Sequence, residues 1–263
     1  MINLTTATLD AWLAAYLFPL ARISGILLVA PIFSHSALPA RIKLLLILVL
    51  TVAIAPLAGS MPQVAPASGL GLSILAEQVL IGLALGYVMR IASAAIDMAG
   101  ELTGLQMGLG FATFFDPQSE ANTAVVAQLY GLLATLVFLA INGHLIVTSL
   151  LAQSFSIVPV GMVTMVDFGF DRLVAYGAQI FLSGLLLALP FVAALLAANI
   201  ALGMLTRAAP QLNLFAVGFS ITLLAGFVLM AMILPQLTPS FERLYLESAS
   251  YALQWAGDIG AKP

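Results

Sequence analysis

Few groups in this chain could carry chemistry. In 263 residues Lys and Arg number 8, Asp and Glu 11, His 2 and Cys 0. The absence of cysteine removes disulfides, thiolate metal sites and thiol nucleophiles. A serine or acid paired with histidine would have to use His144, in Asn142-Gly143-His144, with Ser183. Neither a nucleophile elbow nor metal-ligand spacing accompanies them. No G-x-x-x-x-G-K-S/T run occurs, so any energy from nucleotide would come from another protein. An enzyme is not expected, nor is a cofactor or a metal.

The remaining chemistry is that of charge inside apolar sequence. Arg22, Glu77, Arg90, Asp97, Glu101 and Arg207 stand in or beside long hydrophobic blocks. Asp97 and Glu101 fall on one face of a helix, where two carboxylates repel by a few tenths of a kcal/mol if solvated and by more if buried, unless a cation answers them. Arg90 is the nearest internal candidate. Three readings of Arg90, Asp97 and Glu101 stay open: a self-satisfied cluster, contacts within an assembly, and a proton relay, the default hypothesis for intramembrane carboxylates. Arg22, Glu77 and Arg207 are expected to pair with other subunits or to snorkel to an interface.

The elements that hold these groups must be membrane helices. The chain is 62% hydrophobic and 7% charged, against about 25% charged in an ordinary soluble domain. An all-α integral membrane protein follows. The net charge of −3 is dispersed, so no basic surface exists for nucleic acid. No cation precedes Arg22, so the first apolar block lacks the positive region of a cleaved signal and is expected to stay in the mature protein. Six blocks approach spanning length: Ala11–Phe33, Leu44–Leu57, Leu70–Met89, Thr123–Ile146, Val174–Leu205 and Leu212–Leu234. The first holds Pro19 and Arg22, the second Pro56, the third Glu77 and Gln78, and the overlong fifth is interrupted at Pro190. Broken helices and buried charges are tolerated at membrane depth only under a cover of protein or water, so these segments are expected to face partners more than lipid. Arg41, Lys43, Arg90 and Arg207 favour an outside N-terminus, while Arg172, Arg243 and Lys262 favour the reverse, and no topology is assigned.

The third block does not end at Met89. Arg90, Asp97 and Glu101 recur at helical spacing beside a ladder of Gly100, Gly104 and Gly108, which predicts a helix of about 38 residues, longer than a bilayer core is thick. It meets a glycine cluster and breaks. The stretch Gly104–Thr123 (GLQMGLGFATFFDPQSEANT) then carries Phe111, Phe114 and Phe115, closed by Asp116-Pro117, a turn-forming pair. Such a loop must pack against something. A re-entrant linker with its rings between helices is the plain alternative to a functional loop. Ser156–Arg172 reads as a loop, and Thr238-Pro239 as a helix start. Beyond it Arg243, Glu247, Ser250, Gln254 and Asp258 form a polar stripe opposite Phe241, Leu244, Tyr245, Ala252 and Trp255, an amphipathic tail for an interface or a partner. The scattered methionines, 10 in all, read as gap-fillers.

Three runs together carry a family likeness. Arg22-Ile-Ser-Gly with Ala30-Pro31-Ile32-Phe33, Met107-Gly108-Leu109-Gly110-Phe111-Ala112 running into Phe115-Asp116-Pro117, and Asn213-Leu-Phe215-Ala-Val-Gly218-Phe219 resemble the family of the flagellar biosynthetic protein FliR and its SctT/SpaR-like injectisome counterparts. The likeness spans nearly the whole chain; Ser220 departs from it, standing where proline is expected. The resemblance implies a type III export-gate subunit of the bacterial inner membrane and flagellar basal body. It further implies assembly with FliP and FliQ homologues, contact with the FlhB homologue, and passage of unfolded exported proteins. Broken helical hairpins would then form part of a helical gate and not a simple six-helix bundle. The residues corresponding to the family's plug are Gly108, Leu109, Gly110, Phe111, Ala112, Phe114, Phe115, Asp116 and Pro117. One membrane domain over 1–263 is expected: N-terminal helices and plug loop over 1–117, helical hairpins over 118–237, the amphipathic tail over 238–263. The alternatives are an injectisome export-gate subunit and a secondary transporter, the latter marked by discontinuous helices and midplane carboxylates, although the two halves show no corresponding short, broken segments.

Overall fold

Long runs of Leu, Ala and Val without strand-type alternation satisfy their backbone groups inside helices, as a bilayer requires of any open chain. The computed structural model describes residues 6–111, 125–161, 168–208 and 214–261, and among these every regular element is helical. The fold is that of an all-α membrane protein. Among the described residues 5 helices are long and apolar enough to cross a membrane, or up to 6 with a bent pair counted as one span.

Helix α1 (Thr6–Val29) runs through Pro19. Turns follow, and Pro39 precedes α2 (Ala40–Ile54), which a short 3-10 turn (Ala55–Leu57) closes around Pro56. Helix α3 (Gly69–Gln106) is one piece of 38 residues, about 57 Å at 1.5 Å per residue against a hydrocarbon core of about 30 Å. The long helix read from the sequence is present, and it stops in the glycine cluster as expected.

Elsewhere the breaks fall at other places. The block Thr123–Ile146 divides: α4 (Val125–Ala140) and α5 (Gly143–Ile157) meet at a 66° bend. Asn142 makes it, with φ 56°, since Asn is among the few side chains that tolerate the left-handed region. The fifth block is not interrupted at Pro190. A short α6 (Phe170–Tyr176) precedes α7 (Gln179–Ala208), which passes through that proline. Nor does a helix begin at Thr238-Pro239, because α8 (Leu214–Gly260) runs unbroken for 47 residues through Pro235 and Pro239, with Ser220 inside it. A proline removes one rung of the ladder and costs about 3 kcal/mol. Pro190, Pro235 and Pro239 are all exposed, so their rings displace no neighbouring helix, and the helix continues on either side of each. The loop expected over Ser156–Arg172 is shortened at both ends, because α5 extends to Ile157 and α6 starts at Phe170; residues 162–167 lie outside the described set.

The chain divides into two compact units. One takes the residues up to Ile91, Asn142–Gly177 and those from Tyr245 on; the other takes Ala92–Ile141 and Ala178–Leu244. In the first, α1 lies almost backbone to backbone on α3: a side chain at Gly86 would stand 2.8 Å from the Ile26 carbonyl oxygen. The end of α8 behaves as an amphipathic helix should, burying Tyr245, Ala252 and Trp255 while Gln254 and Asp258 face out. Its cover comes from its own chain. Tyr176 of α6 stacks on Tyr251 at 3.8 Å, Tyr251 donates to the Arg172 carbonyl at 3.1 Å, and Arg172 pairs with Asp258. In the second unit Tyr130 stands between Phe191 and Phe241, with ring centroids 6.5 and 6.0 Å away.

Candidate functional site

The root of the candidate plug is built by the last turns of α3. Ala99, Gly100, Thr103, Gly104 and Met107 form a buried seam at helical spacing. Along it α4 approaches closely, since a side chain at Gly100 would meet the Ala127 Cα at 2.5 Å, while Gly104 faces Val126 at 3.6 Å. The helix then closes in an ordinary way: the Met107 N–H donates to the Thr103 carbonyl at 3.0 Å and the Gly108 N–H to that of Leu105 at 3.0 Å. Gly108 has φ 84°, a conformation that glycine alone takes without strain at a helix end. A 3-10 turn, Leu109–Phe111, holds Leu109 and Gly110, and Phe111 is its last residue. Ala112, Phe114, Phe115, Asp116 and Pro117 lie outside the described residues.

Arg22 is the best-defined polar centre. It is fully buried in the first unit, and four hydrogen bonds hold it. Its Nε donates to Gln78 Oε1 at 2.8 Å, Nη1 to the Ser154 carbonyl at 2.8 Å and to Ser154 Oγ at 3.2 Å, and Nη2 to the Val158 carbonyl at 2.8 Å. The Phe155 ring lies 4.2 Å from the guanidinium carbon. Ser154 lies in the last turn of α5 and Val158 caps that helix, where the helix dipole gathers partial negative charge. The cation therefore caps a helix, and no carboxylate is among these partners. Gln78, Ser154 and Phe155 are the site residues that sequence reasoning missed. Gln78 carried a signal, as a polar group beside Glu77 inside an apolar block, whereas nothing in sequence joins Ser154 to Arg22.

The other charged candidates spread along the surface. On α3 Glu77 is half-buried, Arg90 exposed, Asp97 half-buried and Glu101 exposed. Asp97 faces α4, its Oδ1 3.2 Å from where a side chain at Gly131 would begin. Arg207 is exposed in the last turn of α7, where the helix dipole favours a cation. His144 sits in α5 and Ser183 in α7. Among the described residues no group of three or more His, Cys, Asp or Glu could hold a metal ion.

The profile of the bacterial export proteins, family 1, matches residues 13–248. The chain belongs to that family. Among its relatives in this export family, the flagellar biosynthetic protein FliR of Escherichia coli (strain K12) is 44% identical over 249 residues, 94% of each chain. FliR of Pectobacterium carotovorum subsp. carotovorum is 42% identical over the same share. FliR of Bacillus subtilis (strain 168) is 28% identical over 220 residues, 82% of this chain and 84% of its own. The likeness to FliR read from three short runs thus extends over nearly the whole export protein.

Proposed function

We propose that this chain is the FliR-type subunit of the flagellar type III protein export gate in the bacterial inner membrane, at the basal body. There it assembles with FliP and FliQ homologues, meets the FlhB homologue, and supplies the plug that closes the pore to ions until an unfolded substrate arrives. Its single domain performs no bond chemistry. The observation that carries this reading is the 44% identity to FliR over 94% of the chain. The end of α3 supports it, because the long helix ends just before the loop and Gly108 there takes φ 84°, a conformation suited to glycine. Phe111, Phe114 and Phe115 in a constriction would exclude water by shape and dewetting, and glycine backbone lets the loop swing aside.

The test is conductance. Deleting Gly110 to Ala112, or changing Phe114 and Phe115 together to Ala, should make membranes carrying the intact complex leak ions, with the amount of complex unchanged. Wild-type conductance in an intact complex would overturn the plug.

A further inference from the structure

Gly226 lies in the middle of α8, away from either end. Glycine inside a helix costs about 1 kcal/mol relative to alanine, so it calls for a packing reason. The reason on view is Met107. A side chain at Gly226 would begin 2.5 Å from Met107 Cγ, 2.8 Å from Cε and 3.0 Å from Sδ. Met107 thus fills the space that any other residue at 226 would claim, and it is fully buried there. Thr222 and Met230, one turn to either side on α8, are buried on the same seam. An unbranched thioether suits such a flat notch, since it bends to fit where a branched side chain would clash.

Met107 also directly follows the last residue of α3, Gln106, and directly precedes Gly108, the first residue of the plug loop. Its N–H still closes a helical bond to Thr103, while the next residue, Gly108, has already left helical geometry. We infer that Met107, seated on Gly226, pins the root of the plug loop and so fixes the point at which the chain leaves the α3 seam. This rests on the plug reading above and adds two positioning residues that touch neither ion nor substrate. Met107 fixes where the hinge begins, and Gly226 provides its socket.

The experiment uses the full chain co-expressed with its FliP and FliQ homologues, with ion leak from membrane vesicles measured at matched amounts of complex. The Gly110–Ala112 deletion serves as reference. Gly226→Ala displaces the methionine from its seat and Met107→Ala removes the pin; each should raise the leak towards that of the deletion. The double variant, Gly226→Ala with Met107→Ala, places the new methyl group in the vacated space and should bring the leak back towards wild type. If Gly226→Ala prevents assembly, Met107→Ala alone still decides, because it only opens a cavity. A leaking deletion beside tight single variants would refute the pin and leave the plug standing. A Gly226→Ala leak that Met107→Ala fails to reduce would show that the glycine acts otherwise than through this pair. A deletion that does not leak removes the plug reading, and the pin with it.

Discussion

Arg22 shows what one residue must do to remain charged inside an apolar protein. An isolated cation moved from water to the interior loses many kcal/mol of solvation, and only a full set of acceptors makes its burial tolerable. The planar fork of guanidinium meets that demand by reaching Gln78, Ser154 and Val158 at once while lying over Phe155. Lysine cannot reproduce it, because a single ammonium on a flexible stem presents its donors from one point. Arg22→Lys should therefore lose one or two charge-assisted bonds, about 2–4 kcal/mol in all, and leave Gln78 or the end of α5 unsatisfied. The expected result is a lower melting temperature of the detergent-solubilised complex with its composition unchanged. A melting curve that overlays the wild type would mean that the network does not support the fold.

Helix α3 sets the scale of the elements, and along it the sequence can be compared with its outcome. Its length was legible because Arg90, Asp97 and Glu101 keep helical spacing and glycine costs too little to stop such a helix, so Gly82, Gly86 and Gly100 became places of close approach and the helix ended only at Gln106, two residues before Gly108, where φ turns positive. Proline was harder to read than glycine. Pro190 read as an interruption and Thr238-Pro239 as a helix start, yet both helices run through, because the exposed rings displace no neighbour. The break at Asn142 gave only a faint signal, one amide before a glycine. Asp97 and Glu101 supply a test at this level. Their mutual repulsion should destabilise α3 by a few tenths of a kcal/mol, so neutralising both would slightly favour the isolated helix. If cations on partner subunits answer them, Asp97→Asn with Glu101→Gln should instead lower the recovery of complex from membranes. Full recovery with export abolished would move the pair from assembly to proton coupling.

At the scale of the whole molecule the decisive quantity is apolar surface left uncovered. The most apolar window of α3 is 61% buried, whereas that of α8 is 17% buried. Within the second unit α7 exposes Phe181, Leu182, Leu186 and Leu189, and α8 exposes Leu224, Phe227, Val228 and Met232. A self-sufficient soluble chain rarely leaves a continuous apolar patch beyond about 600 Å², so lipid or protein must cover these faces. A transporter would leave them to lipid and survive alone in detergent. A gate subunit would present them to its neighbours and aggregate without them. The chain has 0 cysteines, so a single Phe227→Cys or Leu224→Cys provides a unique label without background. In the co-expressed complex such a cysteine should crosslink to a FliP or FliQ homologue and resist a lipid-soluble maleimide, and the chain expressed alone should aggregate. Complete labelling from the lipid phase, with no crosslink and a stable solitary chain, would place hydrocarbon where the export-gate reading requires protein.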